Sequence, residues 1–128
     1  MEYLWLVTLL AALQFAVFGG LVGAARAKSR LQAPAVTGDA AFERRFRVHY
    51  NTLEQLAVFY PALWSFGLLV DATIAAALGG IYLVGRVVYF LQYTARPQSR
   101  SLGFGLSAMP TYVLLIGGLI GAIRAIVG

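Results

Sequence analysis

Arg47, Asn51 and Glu54 stand at positions i, i+4 and i+7. At 100° per residue an α-helix carries all three within about 60° of one line, so a guanidinium, a carboxamide and a carboxylate share one stripe. A second set, Tyr82, Arg86, Tyr89 and Tyr93, repeats at i, i+4, i+7 and i+11, with Arg96 and Arg100 just beyond it. Arginine binds carboxylates through paired N–H donors, and a carboxylate accepts from an ammonium. Together the two sets suit a small polar anion that carries both carboxylates and an amine. Blander accounts cover parts of the pattern. An internal ion pair from Arg47 to Glu54, with Asn51 between, would tie helices together, and an aromatic belt at a membrane interface suits Tyr93 better than Tyr82. Tyrosines alternating with arginines on one face look more like a wall of hydrogen-bond donors. Anionic lipid headgroups on a basic cluster account for Arg26, Lys28 and Arg30, but not for Glu54 within the stripe.

Other chemistries lack their parts. The chain has no cysteine, which excludes disulfides, thiolate metal sites and a cysteine nucleophile, and leaves the redox compartment open. His49 is the only histidine, and Glu54 is a poor partner for it in a metal site, so no metal is expected. No serine lies in a nucleophile-elbow context. His49 falls about 160° around a helix from the Arg47 and Asn51 line. It therefore faces a neighbouring subunit if it is functional, and is otherwise a residue of the headgroup region.

The elements that must hold these residues are set by composition. Of 128 residues, 60% are hydrophobic and only 12% charged, about half the charged fraction of an average soluble domain. The length allows one domain. Tyr3 to Ala25 and Ser101 to Ile123 are each 23 residues without a charge, and such a helix spans roughly 34 Å, enough for a hydrocarbon core. Val48 to Val70 contains only Glu54, and Ala72 to Ala95 only Arg86. An all-α, four-span membrane bundle is predicted over residues 1–128, with spans at about 3–25, 48–70, 72–95 and 101–123. The first span is read as retained rather than as a secretory signal, because Met-Glu-Tyr lacks a basic region and the apolar run is too long. The connection from Arg26 to Arg47, with Pro34, Gly38 and Asp39, is read as a loop. Pro61 and Pro110 fall inside spans and are expected to kink them.

Ten basic residues face five acidic ones, for a formal charge of +5. Eight of the ten, Arg26, Lys28, Arg30, Arg44, Arg45, Arg47, Arg96 and Arg100, fall in the first and third connections or their flanks. This distribution puts that side in the cytoplasm and both termini opposite, and it implies no nucleic-acid partner. Gly19 with Gly23 and Gly117 with Gly121 recur at four-residue spacing, which allows close helix approach, either between subunits or within one bundle. Four short helices enclose little space, so a site for anything larger than an ion belongs between subunits.

The stretch Phe42-Glu43-Arg44-Arg45-Phe46-Arg47, continuing through Asn51 and Glu54 to Leu63-Trp64-Ser65-Phe66-Gly67, resembles the signature of the membrane-associated proteins in eicosanoid and glutathione metabolism, the MAPEG family. That signature runs F-E-R-x-x-R-x-x-x-N-x-x-E, then L-W-x-x-G. Tyr82, Arg86, Tyr89, Tyr93 and Arg100 fall in register with a second family run. The resemblance covers nearly the whole chain. It implies a homotrimer of four-helix protomers in the bilayer, with glutathione as co-substrate bound between subunits near the cytoplasmic face. It further implies a glutathione transferase or peroxidase acting on apolar electrophiles or lipid hydroperoxides, or a non-catalytic membrane scaffold of the same fold.

Carried over by position, Arg47, Asn51, Glu54, Tyr89 and Tyr93 contact glutathione from one subunit and Arg26 from its neighbour. Arg100 activates the thiol, and Tyr93 assists it. The chain departs from the leukotriene-forming members at His49, where they place a glutamine that reaches across the interface, at Gln55 and at Ala27. A mammalian eicosanoid substrate is therefore not expected, and the compact length points to a bacterial inner membrane.

Overall fold

The computed structural model describes residues 1–128. The chain forms four helices, α1 (Glu2–Ser29), α2 (Ala40–Leu69), α3 (Ala72–Ala95) and α4 (Ser101–Val127), with a short 3-10 turn at Pro97–Ser99. The all-α, four-helix expectation holds. Helices α1, α3 and α4 are long and apolar enough to cross a membrane. Helix α2 is the longest, at 30 residues, but its polar stripe dilutes its hydropathy.

The first connection is shorter than the loop expected from Arg26 to Arg47. Helix α1 runs on through Arg26 and Lys28 to Ser29, and α2 already contains Arg44, Arg45 and Arg47. Loss of hydropathy marks where lipid contact ends, whereas caps mark where a helix ends. Arg30 adopts the left-handed conformation, φ 58°, and its N–H donates to Ala27 O, the usual geometry of a helix stop. Asp39 opens α2 by accepting from the Phe42 N–H at 2.9 Å, and Asp71 opens α3 through the Ile74 N–H at 2.8 Å. On the helix side of the Arg30 and Asp39 caps, Arg, Lys and Ala are good helix formers and nothing interrupts them.

Helices α2 and α3 form the middle of the bundle, each packed on α1 and on α4. The core joins Leu4, Val7 and Ala11 to Phe59, Leu63, Tyr82 and Leu114. Two glycines set the α3–α4 distance. A Cβ on Gly85 would lie 2.8 Å from Leu106 O, and one on Gly103 would lie 2.3 Å from Tyr89 Cα. Leu106 O is also the carbonyl that Pro110, four residues on, cannot bond; α3 closes on the freed group, and α4 continues through Pro110 as one helix. Helix α2 likewise continues through Pro61.

The Gly117 and Gly121 pair packs on Phe66 and on Leu69 and Val70 of the same chain. For this pair the close approach lies within one bundle. Gly19 meets His49, also within the chain, while nothing lies within 4 Å of a Cβ placed on Gly23.

Candidate functional site

The basic ends of the helices meet at one end of the bundle. The Arg26 guanidinium lies 4.6 Å over the Phe42 ring and donates to Ala35 O at 2.8 Å, joining α1 to the start of α2. Arg44 donates to Thr94 O and Ala95 O, each at 3.2 Å, and so satisfies the last carbonyls of α3. Arg45 donates to Leu21 O at 3.0 Å. Of the six basic residues in and beside the first connection, three are thus committed to joining helix ends.

Arg47 and Glu54 are exposed on α2 and Asn51 between them is half-buried, so the stripe forms as the spacing predicts. Arg47 and Glu54 do not pair with each other; the one ion pair of the protein joins the N-terminus to Glu2. The ion-pair account of the stripe is therefore incorrect, since seven residues of helix hold the two groups about 10 Å apart along the axis. Asn51 instead turns inward, its Oδ1 accepting from Arg86 Nη2 at 2.9 Å.

The α3 set does not form a single wall toward a ligand. Its face points into the bundle, and depth along the helix sorts the residues. Tyr82 is fully buried and stacks on Phe59 with ring centroids 3.9 Å apart. Arg86 is also fully buried. One Nη2 serves both Asn51 and Thr52 Oγ1, the latter at 2.8 Å, and Nη1 reaches Ser107 Oγ at 3.3 Å. Its guanidinium lies 4.4 Å over the Tyr89 ring, which in turn stacks on Tyr93 at 5.6 Å. Tyr89 is buried and Tyr93 half-buried, so only this end of the set approaches the surface.

Arg100 caps α4 at the same end. It is exposed in the protomer, with Nη1 donating to Pro97 O at 3.1 Å. Tyr89 is the meeting point: Arg86, bonded to Asn51, lies over its ring, Tyr93 stacks on it, and Gly103, three residues after Arg100, packs against its backbone. The structure therefore gathers Arg47, Asn51, Tyr89, Tyr93 and Arg100 from three helices around one end of α3. Arg26 lies against its own loop, and Glu54 stands two turns of helix further along α2 from Arg47. His49 is on another face, stacked on Phe15 at 4.3 Å and against Gly19, between α1 and α2 of its own chain.

Sequence reasoning missed Thr52 and Ser107 as partners of Arg86. Their signal is weak, since a hydroxyl in an apolar span usually bonds back to its own helix. Both also do that, Thr52 to Val48 O at 2.7 Å and Ser107 to Gly103 O at 2.8 Å. No three His, Cys, Asp or Glu side chains stand close enough together to share a metal ion.

The outer face of α4 carries a shallow apolar groove of about 610 Å³, lined among others by Phe104, Met109, Tyr112, Val113 and Ile116. It begins one turn from Arg100 and runs along the exposed apolar side of α4.

A family model described as the MAPEG family matches residues 3–120. An uncharacterized protein of Synechocystis sp. is 46% identical over 121 residues, covering 93% of this chain and 88% of that one. Microsomal glutathione S-transferase 2 of Mus musculus is 43% identical over 101 residues, 79% of this chain and 69% of the relative. Leukotriene C4 synthase of Bos taurus is 35% identical over 109 residues, 85% and 73% of the respective chains.

Proposed function

The chain belongs to the MAPEG family, and from that premise we propose that it is a membrane glutathione transferase or peroxidase. It works as a homotrimer in a bacterial inner membrane, with its basic end toward the cytoplasm. The observation that carries this reading is the meeting of Asn51, one helical turn from Arg47, with Tyr89 and the start of α4 at Arg100, at one end of the bundle where no arginine is paired with a carboxylate. Glutathione has two carboxylates, one ammonium and one thiol. Arg47 and the Asn51 amide suit a carboxylate, Glu54 suits the ammonium, and Arg26 of a neighbouring protomer suits the second carboxylate. His49 stacks on Phe15 and lies against Gly19 within its own protomer, and it is given no contact with glutathione.

Arg100 is the residue we assign to the thiol. A free thiol has a pKa near 8.5 and is only a few per cent thiolate at neutral pH. A guanidinium beside the sulfur favours the anion, and a downward shift of two units corresponds to about 2.7 kcal/mol. A guanidinium does not deprotonate in proteins, so the task assigned to Arg100 is to hold charge rather than to move a proton. Its exposure in the protomer means that the water exclusion strengthening this effect comes from a second copy of the chain. Tyr93, half-buried and stacked on Tyr89, is assigned to donate to the thiolate or to the leaving oxygen. The α4 groove supplies the apolar electrophile or hydroperoxide from the bilayer.

The test is ultraviolet difference absorbance of detergent-purified protein mixed with glutathione. A thiolate signal that Arg100→Ala abolishes supports the transferase. Bound glutathione without a thiolate signal moves the protein to the second reading, a membrane scaffold of the same fold, which the exposed Arg100 bonded to Pro97 O favours.

A further inference from the structure

Arg86 has no place in the mechanism above, and it is the most unusual residue in the bundle. It is a fully buried guanidinium in an apolar span, where ionised groups are costly and normally find a carboxylate. The single ion pair of the protein is elsewhere. Its partners are neutral acceptors from two other helices, Asn51 and Thr52 of α2 and Ser107 of α4, together with the face of Tyr89. Nε has no partner.

The hydroxyl partners are locked. Thr52 Oγ1 gives its proton to Val48 O and Ser107 Oγ gives its proton to Gly103 O, so each offers the arginine only lone pairs. Asn51 differs from them, because an amide has two ends. Arginine is a donor only, which forces Oδ1 to be the end facing Arg86, at 2.9 Å. Nδ2 is the other end of this half-buried amide and is not among the buried unpartnered atoms, which leaves it as the end open to the stripe that carries Arg47 and Glu54. An asparagine not held in this way could present either end to a ligand.

We propose that Arg86 is a positioning residue that fixes the Asn51 amide with its N–H donors outward, so that the site accepts a carboxylate or carbonyl at that point and rejects a donor. Arg86 itself touches no ligand. It acts from beneath the stripe, and by lying on Tyr89 it ties the orientation of Asn51 on α2 to the phenol on α3. The identity of the ligand rests on the glutathione reading; the orientation of Asn51 does not.

The experiment uses the full chain in detergent micelles with 15N-labelled asparagine side chains, and compares wild type, Arg86→Lys, Asn51→Ala and the double variant. The Asn51 amide resonances are identified by their loss in Asn51→Ala. Arg86→Lys keeps the charge but loses the fork, and we expect it to shift those resonances and to raise the glutathione Kd about tenfold. The double variant is expected to bind no more weakly than Asn51→Ala alone. Resonances unmoved by Arg86→Lys, or losses that add in the double variant, overturn the proposal. If the wild type binds no glutathione, the glutathione reading falls while the resonances still decide the role of Arg86. Should Arg86→Lys fail to fold, Asn51→Asp serves instead: Arg86 gains a carboxylate, so the protein should melt higher than wild type yet bind glutathione more weakly. A melting temperature unchanged or lowered in Asn51→Asp also overturns the proposal.

Discussion

Gly103 sits against Tyr89 so closely that a Cβ on it would lie 2.3 Å from both the backbone nitrogen and the Cα of Tyr89. Its own N–H donates to Gln92 Oε1 at 2.9 Å. This contact joins the first turn of α4, three residues after Arg100, to the turn of α3 that carries Tyr89 and, one turn later, Tyr93. The spacing between the arginine assigned to the thiol and the two phenols is therefore set by a backbone-to-backbone approach and not by flexible side chains.

Gly103→Ala should push the two helices apart at that point. Because the added methyl meets backbone, which cannot rotate away, we expect a loss of about 1–3 kcal/mol, read as a lower melting temperature in detergent, together with weaker glutathione binding. Gly105→Ala is the control. Nothing lies within 4 Å of a Cβ there, and alanine favours the helix by up to about 1 kcal/mol, so it should melt at or above wild type and bind normally. Equal behaviour of the two variants would remove the special role of the Gly103 contact.

Arg100→Ala is expected to reduce turnover at least about tenfold, the equivalent of losing roughly 1.4 kcal/mol of stabilisation of the thiolate. Size-exclusion chromatography of the variant should match that of wild type, because the Arg100 side chain makes one bond, to Pro97 O, and none to another helix. Turnover equal to wild type contradicts the assignment.

Glu54→Gln removes a negative charge from an exposed position that has no partner in the protomer. If Glu54 accepts the ammonium of glutathione, the KM for glutathione should rise about tenfold, with kcat at saturation nearly unchanged. Circular dichroism melting should not move. A KM within error of wild type would place Glu54 outside the site.

Tyr82→Phe tests whether Tyr82 faces the core of the bundle or a ligand. The Tyr82 hydroxyl is buried without a hydrogen-bond partner, and its ring stacks on Phe59. Deleting that oxygen should leave stability unchanged or raise it by about 1 kcal/mol, with normal glutathione binding. A ligand-facing Tyr82 would instead show a loss of affinity with no change in melting.

Much of this arrangement is legible in the chain before folding. The stripe of Arg47, Asn51 and Glu54 follows from helical periodicity alone, and all four helices announce themselves as uncharged or nearly uncharged runs long enough for a bilayer. Helix ends are less legible. Arg26, Lys28, Arg44 and Arg45 read as loop where charge ends an apolar run, yet Arg30 and Asp39 set the helix ends. A membrane limits how far the apolar run extends, and it places no limit on a helix that continues into water.

The α3 face shows where periodicity stops being enough. Spacing places Tyr82, Arg86, Tyr89 and Tyr93 on one side of a helix, but it contains no information about what lies opposite. Only the packing of α3 against α2 and α4 buries Tyr82 on Phe59, encloses Arg86 among Asn51, Thr52 and Ser107, and lets Tyr93 approach the surface. The same holds for the glycines: their four-residue spacing permits close contact with any partner, and the tertiary structure assigns Gly117 and Gly121 to Phe66, Leu69 and Val70 of the same chain. Local composition and period depend on neighbours in the chain, so they determine that there are helices and which residues share a face. The depth of each residue and the direction in which an amide such as Asn51 points depend on groups tens of residues away, and those are brought together only when the helices pack.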